Sequence, residues 1–224
     1  MAEFKLGRIR FVWKNEWASS TVYYRDDVIR YGGRVYICVI GHTSAVDFFT
    51  DLDITPTKWN LVSDGQRWKG DWTTSTSYII NDIVKYGANL YIANTVHTSN
   101  SSASAGLEAD ISNWDVFGSG LEWKGNWTVG TRYKVDDLVK YGGKTYVCNT
   151  AHTSNASAAS GLEADQSKWD EFNAGVEYKT DWATAVRYKV NDIVKYGGSL
   201  YICTTYHTST AFASDTANWE EFVE

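Results

Sequence analysis

Residues 192–203, Asp-Ile-Val-Lys-Tyr-Gly-Gly-Ser-Leu-Tyr-Ile-Cys, set two runs of β-forming residues on either side of a glycine pair. Glycine supplies the positive φ that a two-residue hairpin turn demands, so the segment predicts a β-hairpin. Side chains alternate along a strand, so pairing across the turn places Val194 opposite Tyr201 on one face and Lys195 opposite Leu200 on the other. The Val and Tyr face is expected to look into the core. Upstream, Trp182–Tyr188 has neither the length nor the period of a helix and predicts a bend followed by an extended segment. Downstream, Asp215 stands as an N-cap for one helical turn before a short closing strand that carries Trp219 and Phe222.

The same pattern returns four times. Trp17, Trp72, Trp127 and Trp182 are spaced by 55, and Tyr23, Tyr78, Tyr133 and Tyr188 keep that spacing. So do the columns headed by Asp27, Tyr31, Tyr36 and His42, and the His column (His42, His97, His152, His207) uses every histidine in the chain. Trp59, Trp114 and Trp169 continue it, but Trp219 follows after 50, which puts a five-residue deletion, and therefore a loop, in the Ser/Ala-rich stretch of the fourth copy. Gly32-Gly33 and Gly142-Gly143 repeat the turn and Gly87-Ala88 varies it; Asp110 and Asp165 repeat the N-cap, whose place in the first copy falls to Thr55 before Pro56.

These patterns predict an all-β protein of four tandem small antiparallel modules. Each is a two- or three-stranded sheet with a β-hairpin and a short closing helical turn. The boundaries are 13–62, 68–117, 123–172 and 178–222, with linkers at 63–67, 118–122 and 173–177 and an extended segment at 1–12. Joints this short do not let modules swing freely, so a semi-rigid array is expected.

Composition sharpens the core. Eleven Trp and fifteen Tyr stand against one Met and one Pro, so the small cores are built from rings, which bury much area per residue. All Trp fall in three columns: Trp13, Trp68 and Trp123 (with Tyr178 in the fourth copy), the Trp17 column and the Trp59 column. Such confinement is expected of structural use. The expected core comprises Trp17, Trp72, Trp127, Trp182, Trp59, Trp114, Trp169 and Trp219 with Tyr36, Tyr91, Tyr146 and Tyr201.

A net charge of -6, with no basic run, argues against nucleic acid. No apolar run approaches the roughly eighteen residues that span a bilayer, and Met1–Leu6 shows no signal-peptide apolar region, so synthesis in the cytoplasm is expected. Three cysteines, Cys38, Cys148 and Cys203, cannot all pair within the chain, which speaks against a disulfide framework.

Several columns raise chemical readings. Cys38 with His42 recurs as Cys148 with His152 and Cys203 with His207, half the ligand set of a zinc site, yet the second copy has Ala93 there, as suits a small buried strand residue. His, Ser and Asp recur together, but modules of this size offer no deep pocket for a hydrolytic triad. His-Thr-Ser either fixes the loop through side chain to backbone hydrogen bonds or contacts ligand. The Asp27 column suits a turn acceptor, and Arg30, Lys85, Lys140 and Lys195 a solvated row. Neither metal nor cofactor is expected. Rings outside the template, Tyr24, Tyr206, Phe48, Phe49 and Phe212, are free to serve recognition, and the candidate contact set is Tyr206, Tyr24, His42, His97, His152, His207, Phe48 and Phe49.

The order Trp, Tyr-x-x-x-Asp-x-Val-x-Tyr-Gly-Gly-x-x-Tyr, late Trp resembles the chitin-binding type of carbohydrate-binding module, families 5 and 12. It is similar above all to the form in tailed-phage tail and virion proteins, where His-Thr-Ser follows the hairpin, here His42-Thr43-Ser44 and its three repeats. The resemblance implies a non-catalytic virion protein whose loops contact host-surface glycan or other virion proteins, with a homo-oligomer compatible. In chitinase modules an aromatic pair after the second hairpin strand forms the sugar-stacking platform. The matching positions here are Val39-Ile40-Gly41, Thr95-Val96, Thr150-Ala151 and Thr205-Tyr206, of which only Tyr206 offers a ring. Two other outcomes stay open: a cement or adaptor protein with purely protein contacts, and the chitin-binding part of a secreted glycoside hydrolase.

Overall fold

The computed structural model describes residues 11–223. Residues 1–10, most of the segment expected to be extended, lie outside them. The first module contains β1 (Val12–Glu16), β2 (Val22–Tyr23), β3 (Asp27–Tyr31), β4 (Arg34–Cys38), β5 (His42–Thr43), α1 (Phe48–Leu52) and β6 (Trp59–Ser63). A four-stranded sheet in the order β1-β3-β4-β6 is accompanied by the two-stranded pair β2-β5, and the same plan recurs in the three later copies. None of the helices in the described residues is long and apolar enough to cross a membrane.

The hairpin pairs as its sequence requires. Val194 lies opposite Tyr201 and Lys195 opposite Leu200, and Val194 is fully buried. The sheet, however, has one strand more than expected, and its pairing is parallel: Val12 pairs with Asp27, Trp13 with Val28 and Glu16 with Arg30. Trp-Lys-Asn-Glu conceals a strand because it has no apolar alternation and breaks its register at a left-handed residue. That residue is Asn15 (φ 65°) here and Gly70, Gly125 and Thr180 in the other copies, at 82°, 80° and 73°.

The turn before β3 is built from two adjacent acid or amide positions. Asp26, Asn81, Asp136 and Asn191 adopt φ of 73°, 69°, 69° and 69°, a region that Asn and Asp tolerate best among side-chain-bearing residues. The next residue, Asp27, Asp82, Asp137 or Asp192, accepts the N–H of the residue three positions earlier at 2.9 Å. Each of these carboxylates is buried beneath the turn it closes.

The third residue of His-Thr-Ser is a second latch. Ser44, Ser99, Ser154 and Ser209 donate through Oγ to the carbonyls of Ala18, Thr73, Thr128 and Ala183, each at 2.7 Å. The same oxygens accept N–H groups from Thr21, Thr76, Thr131 and Val186 at 2.9–3.0 Å. Ser154→Ala is expected to cost about 1–3 kcal/mol, because it strands the Thr131 N–H and the Thr128 carbonyl together. Thermal denaturation checks the cost, and faster hydrogen exchange at the Thr131 amide locates it.

The closing turn departs from expectation in two ways. Asp215 makes no side-chain cap; its carboxylate takes the N–H and the hydroxyl of Thr210, at 2.7 and 2.9 Å. Asp51, Asp110 and Asp165 hold their loops in the same manner, accepting from Ala45, Asn100 and Asn155. In the first module the helix does not start at Pro56 but earlier, at Phe48, because Phe48 supplies the apolar anchor of that loop and is fully buried.

Each module closes its own ring-lined core. In the first, Tyr23, Ile29, Tyr36, Cys38, Phe48 and Trp59 are buried together, with Trp17 packed at the edge. In the third, Tyr133, Val139, Tyr141, Tyr146, Cys148, Leu162 and Trp169 do the same. Trp59, Trp114, Trp169 and Trp219 are the buried indoles, and the Trp17 column is half-buried. The Trp13 column corrects the structural expectation: Trp13, Trp68, Trp123 and Tyr178 all face solvent.

The chain divides into two compact units, one running up to Lys85 with Leu90–Phe117, the other made of Tyr86–Asn89 with Gly118 onward. Inside the second, the joint before module four explains the glycine pair. Gly142 takes the left-handed turn position at φ 65°. A Cβ on Gly143 would instead strike the Gly175 carbonyl and come within 2.7 Å of the Asn191 Cβ. The second glycine is thus required by the passing chain of the next module. Asn191 Nδ2 donates to the Gly175 carbonyl at 2.9 Å, as Asn81 does to Gly65 in the first unit.

Candidate functional site

The solvent-facing rings share one architecture. Paired residues in neighbouring strands point to the same face, so Trp13 stands with Val28 and Ile37 on the side of the sheet away from the core. The third module repeats this with Trp123, Leu138 and Val147, and the fourth with Tyr178, Ile193 and Ile202. Trp68 pairs with Ile83. The four rings are 52, 59, 57 and 59% exposed, far beyond what a core ring shows. Charged pairs border them: Glu16 with Arg30 in an ion pair, and Asp71 beside Lys85 and Asp181 beside Lys195 in the same register. The Trp13 indole N–H donates to Asn15 at 2.9 Å, which fixes the plane of the ring.

A flat, exposed ring beside an aliphatic row, with hydrogen-bonding groups at its rim, is suited to stack the apolar face of a sugar while polar neighbours meet its hydroxyls. Ser44 donates to a backbone carbonyl rather than to the nearby imidazole, so no nucleophile and base are joined.

The His column turns inward. The Nδ1–H of His42, His97, His152 and His207 donates to the carbonyl of Ile40, Thr95, Thr150 and Thr205 at 2.8–3.1 Å. The rings pack edge-on against Trp59, Trp114, Trp169 and Trp219 with centroids 4.9–5.2 Å apart. Burial holds His152 below the usual imidazole range, and the His42 side chain is only 6% exposed. The column therefore braces the core and is not presented to a ligand.

Cys38, Cys148 and Cys203 donate to the same carbonyls as their histidine neighbours, at 3.1 Å. Burial pushes the Cys38 thiol up to about 11 and that of Cys203 to about 12. Among the described residues, no three His, Cys, Asp or Glu side chains are grouped to hold a metal ion.

Of the remaining sequence candidates, Tyr24 is open to solvent and Phe49 half-buried. Phe48 is withdrawn as a contact residue, since it sits in the first core stacked 4.3 Å from Tyr31. Tyr206 leans on the third module's core: its hydroxyl lies 3.2 Å from that of Tyr146, its ring 6.1 Å from Tyr141, and burial drives its ionisation far up. No open ring is left after the second hairpin strand, where Ile40 and Val96 are exposed instead.

Fold and face together define a small all-β binding module, repeated and ring-bearing. The model of carbohydrate-binding module family 5/12 matches residues 16–60, 126–160 and 181–220, more than half of the chain, and the chain belongs to that family. No curated protein matches it. The exposed rings Trp13, Trp68, Trp123 and Tyr178 all stand outside the matched stretches. Sequence reasoning passed them over because the repeat spacing of a buried Trp and an exposed one is identical. The usable signal was their setting in Trp-Lys-Asn-Glu, Trp-Lys-Gly-Asp, Trp-Lys-Gly-Asn and Tyr-Lys-Thr-Asp, where Lys follows every ring and the two residues after it are polar or glycine.

Proposed function

We propose that this is a non-catalytic glycan-binding array that holds saccharide on the outer sheet faces of its modules, displayed on the virion of a tailed phage and assembled from chains made in the host cytoplasm. The observation that supports glycan binding is the solvent-facing ring at one position of all four modules, in a family of carbohydrate-binding modules that here lacks its usual stacking pair. The virion setting rests on the likeness of the His-Thr-Ser repeats to those of phage tail proteins. Affinity electrophoresis through gels containing bacterial surface polysaccharides is the direct test. At least one glycan is expected to retard the wild-type chain, and Trp123→Ala to weaken that retardation by about 1–2 kcal/mol, the usual cost of removing an anchoring ring, with an unchanged melting temperature.

A second reading, contact with virion proteins alone, draws on the closing strands, where Val62, Phe117, Phe172 and Phe222 form another exposed apolar column. Blank glycan gels, with capture of a virion protein lost in Phe172→Asp, would select it. The chitinase reading is the weakest, because its platform positions carry no open ring.

A further inference from the structure

Within the second compact unit, Arg187 and Lys189 of module four face Trp127, Thr128 and Tyr141 of module three across a groove of about 400 Å³. That volume falls in the range of about 300–1,000 Å³ typical of ligand sites. One wall is the half-buried indole of Trp127, set edge-on to Tyr141 with centroids 5.4 Å apart. The opposite wall is cationic.

The charges in the groove do not balance. Glu163 accepts from the Tyr141 hydroxyl at 2.8 Å and from Arg187 Nη2 at 3.0 Å, and is thereby used up. Lys189 holds its ammonium 4.2 Å from the Tyr141 ring centroid, and among the described residues no carboxylate lies within ion-pair distance of it. The fields of Glu163, Glu177 and Asp192 do reach it. Asp192 is buried under its own turn, and Glu177 is paired with Lys179 and Lys140. Partial burial holds Lys189 below the ordinary lysine range, a penalty that a bound anion would relieve.

The two cationic residues have no counterparts at the corresponding joint of the first unit. Ser77 and Ile79 occupy the two cationic positions there, and Tyr31 is covered by Phe48 and Phe49, at 4.3 and 5.8 Å between centroids.

We propose that this groove binds a carboxylated sugar of the uronic acid type, its ring against Trp127 and its carboxylate on Lys189. The assignment rests on the reading of the chain as a glycan-binding array and gives one site in it a ligand class. A single uncompensated positive charge matches a monoanionic carboxylate. A phosphate dianion would leave negative charge in a partly dehydrated groove.

Isothermal titration of the full chain with trigalacturonate, and with its methyl ester as the neutral control, tests this. The acid is expected to bind at least tenfold more tightly than the ester, and more weakly as salt is raised. Lys189→Gln, which keeps the stem over Tyr141 but removes the charge, is expected to lose at least tenfold, whereas Lys189→Arg should stay within threefold of wild type. Equal binding of acid and ester, or undiminished binding in Lys189→Gln with an unaltered melting temperature, would overturn the groove assignment while the outer-face reading stands. Absence of heat with trigalacturonate also overturns it. If the surface polysaccharides of the electrophoresis experiment fail to bind as well, the broader reading falls with it.

Discussion

Trp169→Ala is expected to unfold the third module, whereas Trp123→Ala, the same substitution 46 positions earlier in the same module, is expected to leave it folded. Trp169 is 5% exposed and contacts Tyr133 and His152 edge-on, with centroids at 5.0 and 5.2 Å. Deleting a buried indole costs about 3–5 kcal/mol through lost burial and the cavity left behind. A module with seven core residues has little stability to spare. Trp123 covers only the outer face, so its loss should cost no more than about 0.5 kcal/mol, the ordinary range for a surface substitution. Trp169→Phe separates packing from polarity. The indole N–H of Trp169 meets no acceptor among the described residues, so phenylalanine gives up volume but no hydrogen bond, and should cost well under half of what alanine does. A repeat chain does not unfold in one step, so hydrogen exchange resolved by module is the measurement. Loss of protection in Trp169→Ala is expected to centre on residues 133–153; uniform protection across the chain would refute the idea of self-contained cores.

The parts of the fold legible in the sequence were those fixed by local rules. The hairpin registers follow from alternation and a turn, and the buried Asp column from the need of a tight turn for an acceptor. What was lost involved partners distant in sequence. The strand at Val12–Glu16 joins the sheet beside β3 rather than beside its chain neighbour, and a left-handed residue interrupts its pattern. Gly143 looked like the second half of a turn, but its reason lies 32 residues on, at Gly175. Tyr206 looked like a free ring because the surface it leans on belongs to the preceding module.

The same distinction governs the sites. A column of aromatics at constant spacing says that every copy uses the ring in the same way, but not whether that way is inward or outward. Direction is set by which strand the residue pairs with: Trp59 lies opposite Cys38 on the core face, Trp13 opposite Val28 on the outer one. The histidines mislead in the opposite sense. A polar residue in a loop motif suggests contact with a ligand, yet the imidazole turns inward, its Nδ1–H on a carbonyl two residues back and its ring edge-on to an indole.

Removing all four outer rings at once, in Trp13→Ala, Trp68→Ala, Trp123→Ala and Tyr178→Ala combined, is expected to lower binding to a repeating polysaccharide by at least a hundredfold, well beyond the loss from any single change. Linked weak sites gain avidity of about 10²–10⁴ when they engage one polymer together, and each ring contributes only a modest anchor by itself. The gain requires short, tied joints, and within each unit the joint is held by an Asn side chain on the linker carbonyl, Asn81 on Gly65 and Asn191 on Gly175. Restoring Trp123 alone should return the affinity of one module and nothing more, and short oligosaccharides that reach a single ring should bind the one-ring chain within a few-fold of wild type per site. Surface plasmon resonance on immobilised polysaccharide, with oligosaccharide titration in parallel, separates the two quantities. If the four-ring variant kept wild-type affinity for neutral polymer, the outer faces would not be the binding surface, and attention would pass to the exposed apolar column of the closing strands.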